Sequence, residues 1–218
     1  MGLDFTVLLE YRDLILTGAV WTAVLTIVSG IASVFVGTVL AVAQLSRNRW
    51  VTAPVAAFMW VFMGTPLLLQ LYFIYFGLVE IGIDLSAFWS GIIALSVHFA
   101  VYNADVIRAA IAALDSGQYE AARSLGLGRF QALRLVVIPQ ALRNVAPALG
   151  NNMIALLKES SLVSIIGVME LTLSAQKAIS ETYRPFEFYI LAAAIYYVLN
   201  MGLEYILARI EQKTALTR

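Results

Sequence analysis

The chain contains no cysteine and a single histidine among its 218 residues, and only 13% of its residues are charged. Without cysteine there is no disulfide scaffold, no catalytic thiol and no cysteine-ligated metal site. Soluble domains carry about 25% charged residues, and the hydrophobic content of 61% excludes a disordered chain. The 14 Lys and Arg balance the 14 Asp and Glu, so no basic charge favours nucleic acid as a partner. The composition therefore predicts a membrane protein.

Long stretches with few charges predict an all-α bundle of membrane-spanning helices, since one span needs about 20 apolar residues. We predict five transmembrane helices in a single domain over residues 1–218, at residues 15–45, 52–79, 86–114, 146–170 and 186–208. The first predicted span carries a stripe of small residues, which is typical of a helix-packing face: Gly18, Thr22, Thr26, Gly30, Ser33 and Gly37. The second is interrupted at Gly64-Thr65-Pro66, where proline leaves the carbonyl of Phe62 without its helical donor.

The distribution of charge supports the marginal fourth span and predicts the orientation. With five spans, one side of the membrane collects ten cations: Arg47, Arg49, Arg108, Arg123, Arg129, Arg134, Arg143, Arg209, Lys213 and Arg218. The other side holds only the cations Arg12, Lys177 and Arg184. Because cytoplasmic loops carry the excess of Lys and Arg, we expect the N-terminus outside and the C-terminus in the cytoplasm.

A cytoplasmic loop at residues 115–144 separates the third and fourth predicted spans. Its pattern predicts a short helix around Glu120, then a break at Gly126 and Gly128, both suited to the left-handed conformation. A second helix with an apolar face follows, and Pro139 ends it. Such an element suits docking into a groove on a soluble partner, and an interfacial helix lying on membrane lipid remains the alternative.

The same loop resembles the EAA motif of permease subunits of ATP-binding-cassette importers. The match consists of Glu120-Ala121-Ala122, Gly126, and, after nine residues, Val136, Ile138 and Pro139. Further segments are similar to the polar amino acid (histidine/glutamine/arginine-type) subfamily: Gly64-Thr65-Pro66-Leu67-Leu68, Gln70-Leu71-Tyr72-Phe73, Tyr75-Phe76-Gly77, Gly117-Gln118 and Lys158-Glu159-Ser160-Ser161-Leu162. The resemblance covers nearly the whole chain. Departures at Met63, Asp105 and Glu159-Ser160 leave the choice of amino acid open.

This resemblance implies an ATP-driven uptake system in a bacterial cytoplasmic (inner) membrane. Its other parts are a substrate-binding protein outside, a second permease subunit, identical or homologous, and two cytoplasmic ATPase subunits. The resemblance assigns ATPase coupling to Glu120, Ala121, Ala122, Gly126 and Pro139. The chain has no Gly-x-x-x-x-Gly-Lys-[Ser/Thr] phosphate loop. We therefore expect no cofactor and no enzymatic activity in this chain, with ATP and Mg bound by the partner ATPase.

Polar residues inside the predicted spans are the candidates for a substrate path, because charges there are costly and usually functional. A zwitterionic amino acid needs an anion, a cation and amide groups, which these residues offer: Asp105, Asn151, Asn152, Lys158, Glu159 and Gln70. Structural alternatives stay open. Asp105 has Arg108 one helical turn away, Lys158 and Glu159 offer opposite charges for pairing across a helix interface, and His98 suits a hydrogen bond within the bundle. Gln70 and the break at Pro66 have two possible roles: they line the substrate path, or they only bend the span.

Two other functions compete with the importer subunit. An ion- or proton-coupled secondary transporter would act without an ATPase, with Asp105, His98 and Glu159 as a proton relay. Such transporters commonly show internal repeats, and none is found here. A membrane assembly subunit without a substrate path is the third possibility.

Overall fold

The computed structural model describes residues 3–214, and over this range the chain is helical with short connections. A 3₁₀ turn at Thr6–Leu9 precedes α1 (Arg12–Gln44) and α2 (Arg49–Met63). Then come α3 (Leu67–Glu80), which contains a π-helical turn at Phe73–Gly77, and α4 (Ala87–Ala112). The middle of the chain forms α5 (Ser116–Ser124), α6 (Arg129–Ala132), a π-helical turn at Leu133–Val137 and α7 (Ile138–Glu159). A 3₁₀ segment at Ser160–Ile166, α8 (Leu171–Thr182) and α9 (Pro185–Thr214) complete the described chain. The predicted all-α class is confirmed.

Three helices, α1, α4 and α9, are each long and apolar enough to cross a membrane, and the bent pair of α2 and α3 makes a fourth span if it is counted as one. These elements coincide with the predicted spans at residues 15–45, 86–114, 186–208 and 52–79. The predicted span at residues 146–170 is not one helix: α7 ends at Glu159, and Gly167 takes a left-handed conformation with φ 90° after the 3₁₀ segment. The number of five spans and their orientation remain predictions.

The break predicted at Pro66 is confirmed as a bend of 110° between α2 and α3. Pro66 itself is extended, with φ −61° and ψ 141°. The carbonyl of Phe62 does find a donor, because Nε2 of Gln70 lies 2.7 Å from its oxygen. The side chain of Gln70 thus replaces the backbone N–H that proline lacks.

The stripe of small residues along α1 is confirmed as a packing face, since all six of its members are buried. A Cβ added to Gly18 would meet Ser174 of α8, and one added to Gly30 would meet Met153 of α7. At Gly37 the neighbour is the backbone of α4. Small residues on α1 therefore let three other helices approach it closely.

Two details of the loop correct the sequence interpretation. Gly128 has φ −62° and precedes α6 in an extended conformation, so Gly126, with φ 85°, is the left-handed glycine of this break. One left-handed residue is enough to end a helix. Pro139 does not end a helix: it lies in the first turn of α7, which continues without interruption from the π-helical turn at Leu133–Val137. Residues 138–144, predicted as loop, are consequently helical.

Apolar contacts hold the bundle around α1 and α4, which pack along much of their length. One cluster joins α1, α3, α4 and α7 through Leu25, Leu71, Leu95 and Leu156. A second joins α1, α8 and α9, with Ile15, Leu171 and Phe188 fully buried.

Candidate functional site

The segment that carries the Glu-Ala-Ala motif is a helix closed by a Schellman cap. Asp115 caps the N-terminus of α5 by accepting from the N–H of Gly117 at 2.8 Å. At the other end, the N–H of Leu127 donates to the carbonyl of Ala122 at 3.2 Å, and that of Gly126 donates to Arg123 at 3.0 Å. This pair of bonds requires the left-handed residue four positions after Ala122. The cap thus explains the spacing between the alanine and the glycine of the motif.

The two faces of α5 differ in exposure. Ala122 is buried, at 3% exposure, and α5 lies against the π-helical turn at Leu133–Val137. Glu120 and Ala121 are exposed. A second tie comes from Gln140 of α7, whose Nε2 donates to Oε1 of Gln118 at 3.2 Å. The helix is therefore fixed to the bundle while it presents Glu120 and Ala121 to the surroundings.

Beside α5 lies a cavity of about 310 Å³ lined by Leu45, Arg47, Tyr119, Arg123, Arg129 and Leu133. Two of its arginines are held in place by the backbone: Arg129 donates to the carbonyl of Leu45 at 3.2 Å, and Arg123 donates to that of Leu127 at 2.7 Å. The first of these bonds ties α6 to the end of α1. The cavity gives the region around α5 a locally positive surface.

Inside the bundle, the structure brings Gln70, His98 and Glu159 together. Gln70 and His98 are buried, and Oε1 of Gln70 lies 3.0 Å from Nδ1 of His98. On the other side of the imidazole ring, Nε2 lies 3.9 Å from Oε2 of Glu159. The ring of Tyr102 is 5.1 Å from that of His98, centroid to centroid. Three elements, α3, α4 and α7, thus contribute to one polar row.

A second polar row runs between α1, α4 and α7. Nδ2 of Asn152 donates to Oδ1 of Asn103 at 2.8 Å, and Nδ2 of Asn103 donates to Oγ of Ser33 at 3.0 Å. Asn152 and Glu159, seven residues apart, both face α4, as their helical spacing predicts. Asn103 and Ser33 were not among the candidates for the substrate path. The sequence signal for Asn103 is an amide side chain inside the predicted third span, and the signal for Ser33 is its position in the small-residue stripe of the first.

Asp105 and Asn151 lie apart from both rows. Asp105 forms the ion pair with Arg108 that the spacing allows, with Nη2 and Oδ1 2.8 Å apart, and about half of each side chain is exposed. Asn151 is exposed, and within residues 3–212, whose side chains are described, it makes no recorded hydrogen bond.

Lys158 and Glu159 are neighbours in sequence but serve different surfaces. Glu159 faces His98 on α4, whereas Lys158 lines a separate cavity of about 350 Å³ together with Ser161, Thr172, Tyr189 and Tyr196. Consecutive helical residues point about 100° apart, which explains the division. Over the described part of the chain the two side chains form no ion pair with each other.

Comparison with known proteins identifies this architecture. Residues 32–216 match the family of binding-protein-dependent transport system inner membrane components. The chain belongs to this family. The arginine transport system permease protein ArtQ of Bacillus subtilis is 38% identical over 217 residues, which are 98% of each chain. The octopine transport system permease protein OccM of Rhizobium meliloti is 39% identical over 192 residues, covering 82% of this chain and 78% of the relative.

Solved structures agree with this membership. A chain from the crystal structure of an amino acid ABC transporter superposes with a TM-score of 0.87 at 41% identity, covering 98% of this chain and all of that one. The methionine ABC transporter MetNI, in an inward-facing conformation, shares the fold at a TM-score of 0.77 and 23% identity, over 93% of this chain and 97% of its own. The chain is thus a transport system inner membrane component that shares its fold with permease chains of ABC transporters.

One feature of the permease escaped the sequence interpretation: the fully buried Glu170, which precedes α8. Its carboxylate accepts from the N–H of Leu173 at 2.9 Å, from the hydroxyl of Tyr196 at 2.7 Å and from that of Thr22 at 3.3 Å. A carboxylate just before a helix is a capping signal. Nothing in the sequence, however, pairs it with Thr22, 148 residues away. This node ties α1, α8 and α9 together.

The N-terminal segment of the permease is held against the connection between α8 and α9. The backbone N–H of Asp4 donates to Oε1 of Glu187 at 3.1 Å, and Arg184 donates to the same oxygen at 3.1 Å. Hydrogen bonds from the hydroxyl and N–H of Thr6 lower the pKa of Asp4. The hydrogen bond to Glu181 raises the pKa of the Tyr11 phenol.

Proposed function

We propose that this permease subunit carries polar amino acids into the cell by alternating access, driven by ATP hydrolysis on partner subunits. The observation that carries the proposal is the Schellman-capped α5, anchored through Ala122 and exposed at Glu120. Membership in the family and relatives named for arginine and octopine support the substrate class. An ion-coupled secondary transporter is not favoured, because the chain belongs to a family of binding-protein-dependent transport system components.

In this proposal α5 is the coupling helix that seats on an ATPase subunit. Glu120 and Ala121 meet the partner, while Ala122 and Gly126 fix the shape of the element. Pro139 begins α7, so a displacement of α5 and the adjacent π-helical turn passes directly into the helix that carries Asn152 and Glu159. ATP and Mg bind to the partner ATPase, and this chain holds no cofactor of its own.

The proposed topology places the C-terminus and α5 in the cytoplasm of a bacterium and the N-terminus outside its inner membrane. The cations Arg47, Arg123 and Arg129 around the cavity beside α5 support this side as cytoplasmic. Counting residues 146–170 as a fifth span is part of the same proposal. A second permease subunit and an extracytoplasmic substrate-binding protein complete the transporter.

We further propose that the substrate path follows Gln70, Glu159 and Asn152, where two polar rows lie against α4. Glu159 supplies the anion that an ammonium or guanidinium group requires, and Asn152 supplies an amide. Asp105 and Asn151 would contact the substrate elsewhere along the path, and Lys158 would do so from its own cavity.

The coupling role can be tested with two glycines of the same break. Gly126→Val forces a β-branched residue to φ 85°, whereas Gly128→Ala places alanine at φ −62°, which any residue adopts. In the reconstituted complex we expect Gly126→Val, or Glu120→Lys at the exposed face, to abolish substrate-stimulated ATPase activity, and Gly128→Ala to keep it. Unchanged stimulation in both Gly126→Val and Glu120→Lys would refute the assignment of α5 as the coupling helix.

A further inference from the structure

The orientation of the Gln70 amide is determined by its surroundings. Its Nε2 lies within hydrogen-bonding distance of the carbonyl oxygens of Phe62, at 2.7 Å, and Thr65, at 3.0 Å. The hydroxyl of Thr65 lies 2.9 Å away and already donates its own proton to Val61, so it too faces Gln70 with a lone pair. Because all three of these oxygens are acceptors, the atom of the Gln70 amide that faces them must be its nitrogen, which donates. The amide oxygen must therefore point to His98.

This orientation determines which nitrogen of His98 carries a proton. The oxygen of Gln70, 3.0 Å from Nδ1, can only accept, so Nδ1 must be the donor. In a neutral imidazole the other nitrogen then has no proton. Nε2 would therefore present a lone pair to Glu159.

A lone pair that faces a carboxylate is unfavourable, because both groups are acceptors. Nε2 of His98 and Oε2 of Glu159 are 3.9 Å apart, and one additional proton turns their contact into a charge-assisted one. The neighbours of the pair are Gln70 from α3 and, on α4, the rings of Phe99 and Tyr102. Lys158 on α7 faces its own cavity. Within residues 3–212 no other ion pair to Glu159 competes for this position.

We propose that His98 is a positioning residue for Glu159: in the empty permease Nε2 of His98 carries a proton and forms an ion pair with Glu159, and a cationic group of the substrate displaces this proton. The inference rests on the proposed place of Glu159 in the substrate path. The exchange balances in charge: one ammonium or guanidinium group moves next to the carboxylate, and one proton leaves for water. The proton can reach water because 43% of the Glu159 side chain is exposed, whereas only 9% of the His98 side chain is exposed.

The single histidine of the chain makes the proton directly observable. The permease is labelled with ¹⁵N-histidine, purified through a tag without histidine and placed in lipid nanodiscs for NMR. We expect both Nδ1 and Nε2 of His98 to be protonated in the wild type, and Glu159→Gln to leave a neutral ring with Nδ1–H alone. A glutamate-to-glutamine change at Glu204, an exposed residue on α9 bonded to Asn200, should leave the His98 signals unchanged. A ring with Nε2–H and a bare Nδ1 in the wild type would overturn the proposal.

Displacement is tested on the same sample with L-arginine and its uncharged analogue L-citrulline. L-arginine should convert His98 to the neutral form, and L-citrulline should not. Calorimetry should count about one proton released per bound arginine, with the affinity for arginine falling up to about tenfold per pH unit as the pH is lowered. In His98→Gln both the release and this pH dependence should largely disappear. Arginine binding without proton release would refute the displacement. Because no nucleotide is present, this result is independent of the ATPase test of the coupling helix.

Discussion

The close approach of α1 and α4 at Gly37 predicts a large effect of a single methyl group. A Cβ at this position would lie 2.8 Å from the carbonyl oxygen of Ala100, 2.8 Å from Cβ of Asn103 and 3.1 Å from the backbone nitrogen of Ala104. Backbone atoms of α4 cannot rotate away as a flexible side chain does. Gly37→Ala must therefore push the two helices apart along their main contact.

The magnitude follows from two opposing effects. Replacing glycine by alanine inside a helix gains about 0.5–1 kcal/mol, whereas overpacking a tight interface costs about 1–3 kcal/mol. We expect Gly37→Ala to lose about 1–2 kcal/mol of stability overall, because the clash with backbone lies at the upper end of that range. Gly202 in α9 has no atom within 4 Å of the added Cβ. Gly202→Ala should therefore show only the gain in stability of about 0.5–1 kcal/mol from the glycine-to-alanine change.

The two variants are compared by thermal unfolding of the purified permease, followed by size-exclusion chromatography. A difference of about 2–3 kcal/mol corresponds to about 4–12 °C for a chain of this length, with Gly37→Ala the less stable. An unfolding temperature of Gly37→Ala equal to or above that of Gly202→Ala would show that the helices do not meet at Gly37 as described.

Four further substitutions separate structural from functional polar groups, and the same unfolding assay measures the stability of each variant. Gln70→Leu leaves the carbonyl of Phe62 without a donor and should cost about 1–3 kcal/mol; wild-type stability would refute its role at the bend. Glu170→Ala removes three hydrogen bonds at a fully buried site and should cost about 3 kcal/mol or more of stability. Glu159→Gln should change stability little, but it should abolish transport. Asn103→Leu breaks the row to α1 and α7 and should cost about 1–2 kcal/mol, so a cost near zero would count against that row.

Several elements of this permease follow from local rules of sequence. The small residues of α1 recur on one helical face, and a face of this kind is buried wherever another helix can approach it. Pro66 follows Gly64 and Thr65 and leaves the carbonyl of Phe62 without its helical N–H donor, which favours a break at this point. The spacing from Ala122 to Gly126 is the length of a Schellman cap. In each case the cause lies within a few residues, so the pattern is sufficient to predict the structure.

The remaining features depend on partners that are distant in sequence. Helical periodicity predicts that Lys158 and Glu159 point in different directions, but not that one meets α4 and the other the cavity beside Tyr196. Gln70 is polar in an apolar span, which marks it as unusual, yet its function at the bend depends on where α3 turns back. Of the two glycines in the break, only Gly126 has a left-handed backbone conformation. One such residue is enough to end α5, so Gly128 does not need it.

The acidic side chains of Glu170 and Glu159 show how structural and functional roles can be distinguished. Glu170 has no exposed surface and accepts hydrogen bonds from a backbone N–H and two hydroxyls, which compensate a buried carboxylate. Glu159 is partly exposed, and its nearest cationic partner is an imidazole nitrogen 3.9 Å away. A carboxylate with satisfied acceptors gains nothing from a ligand, whereas one with unused acceptors next to an open path gains from any cation that reaches it. The difference in hydrogen bonding, and not the shared chemistry of the two glutamates, therefore assigns Glu170 to the fold and supports the proposed role of Glu159 in the substrate path.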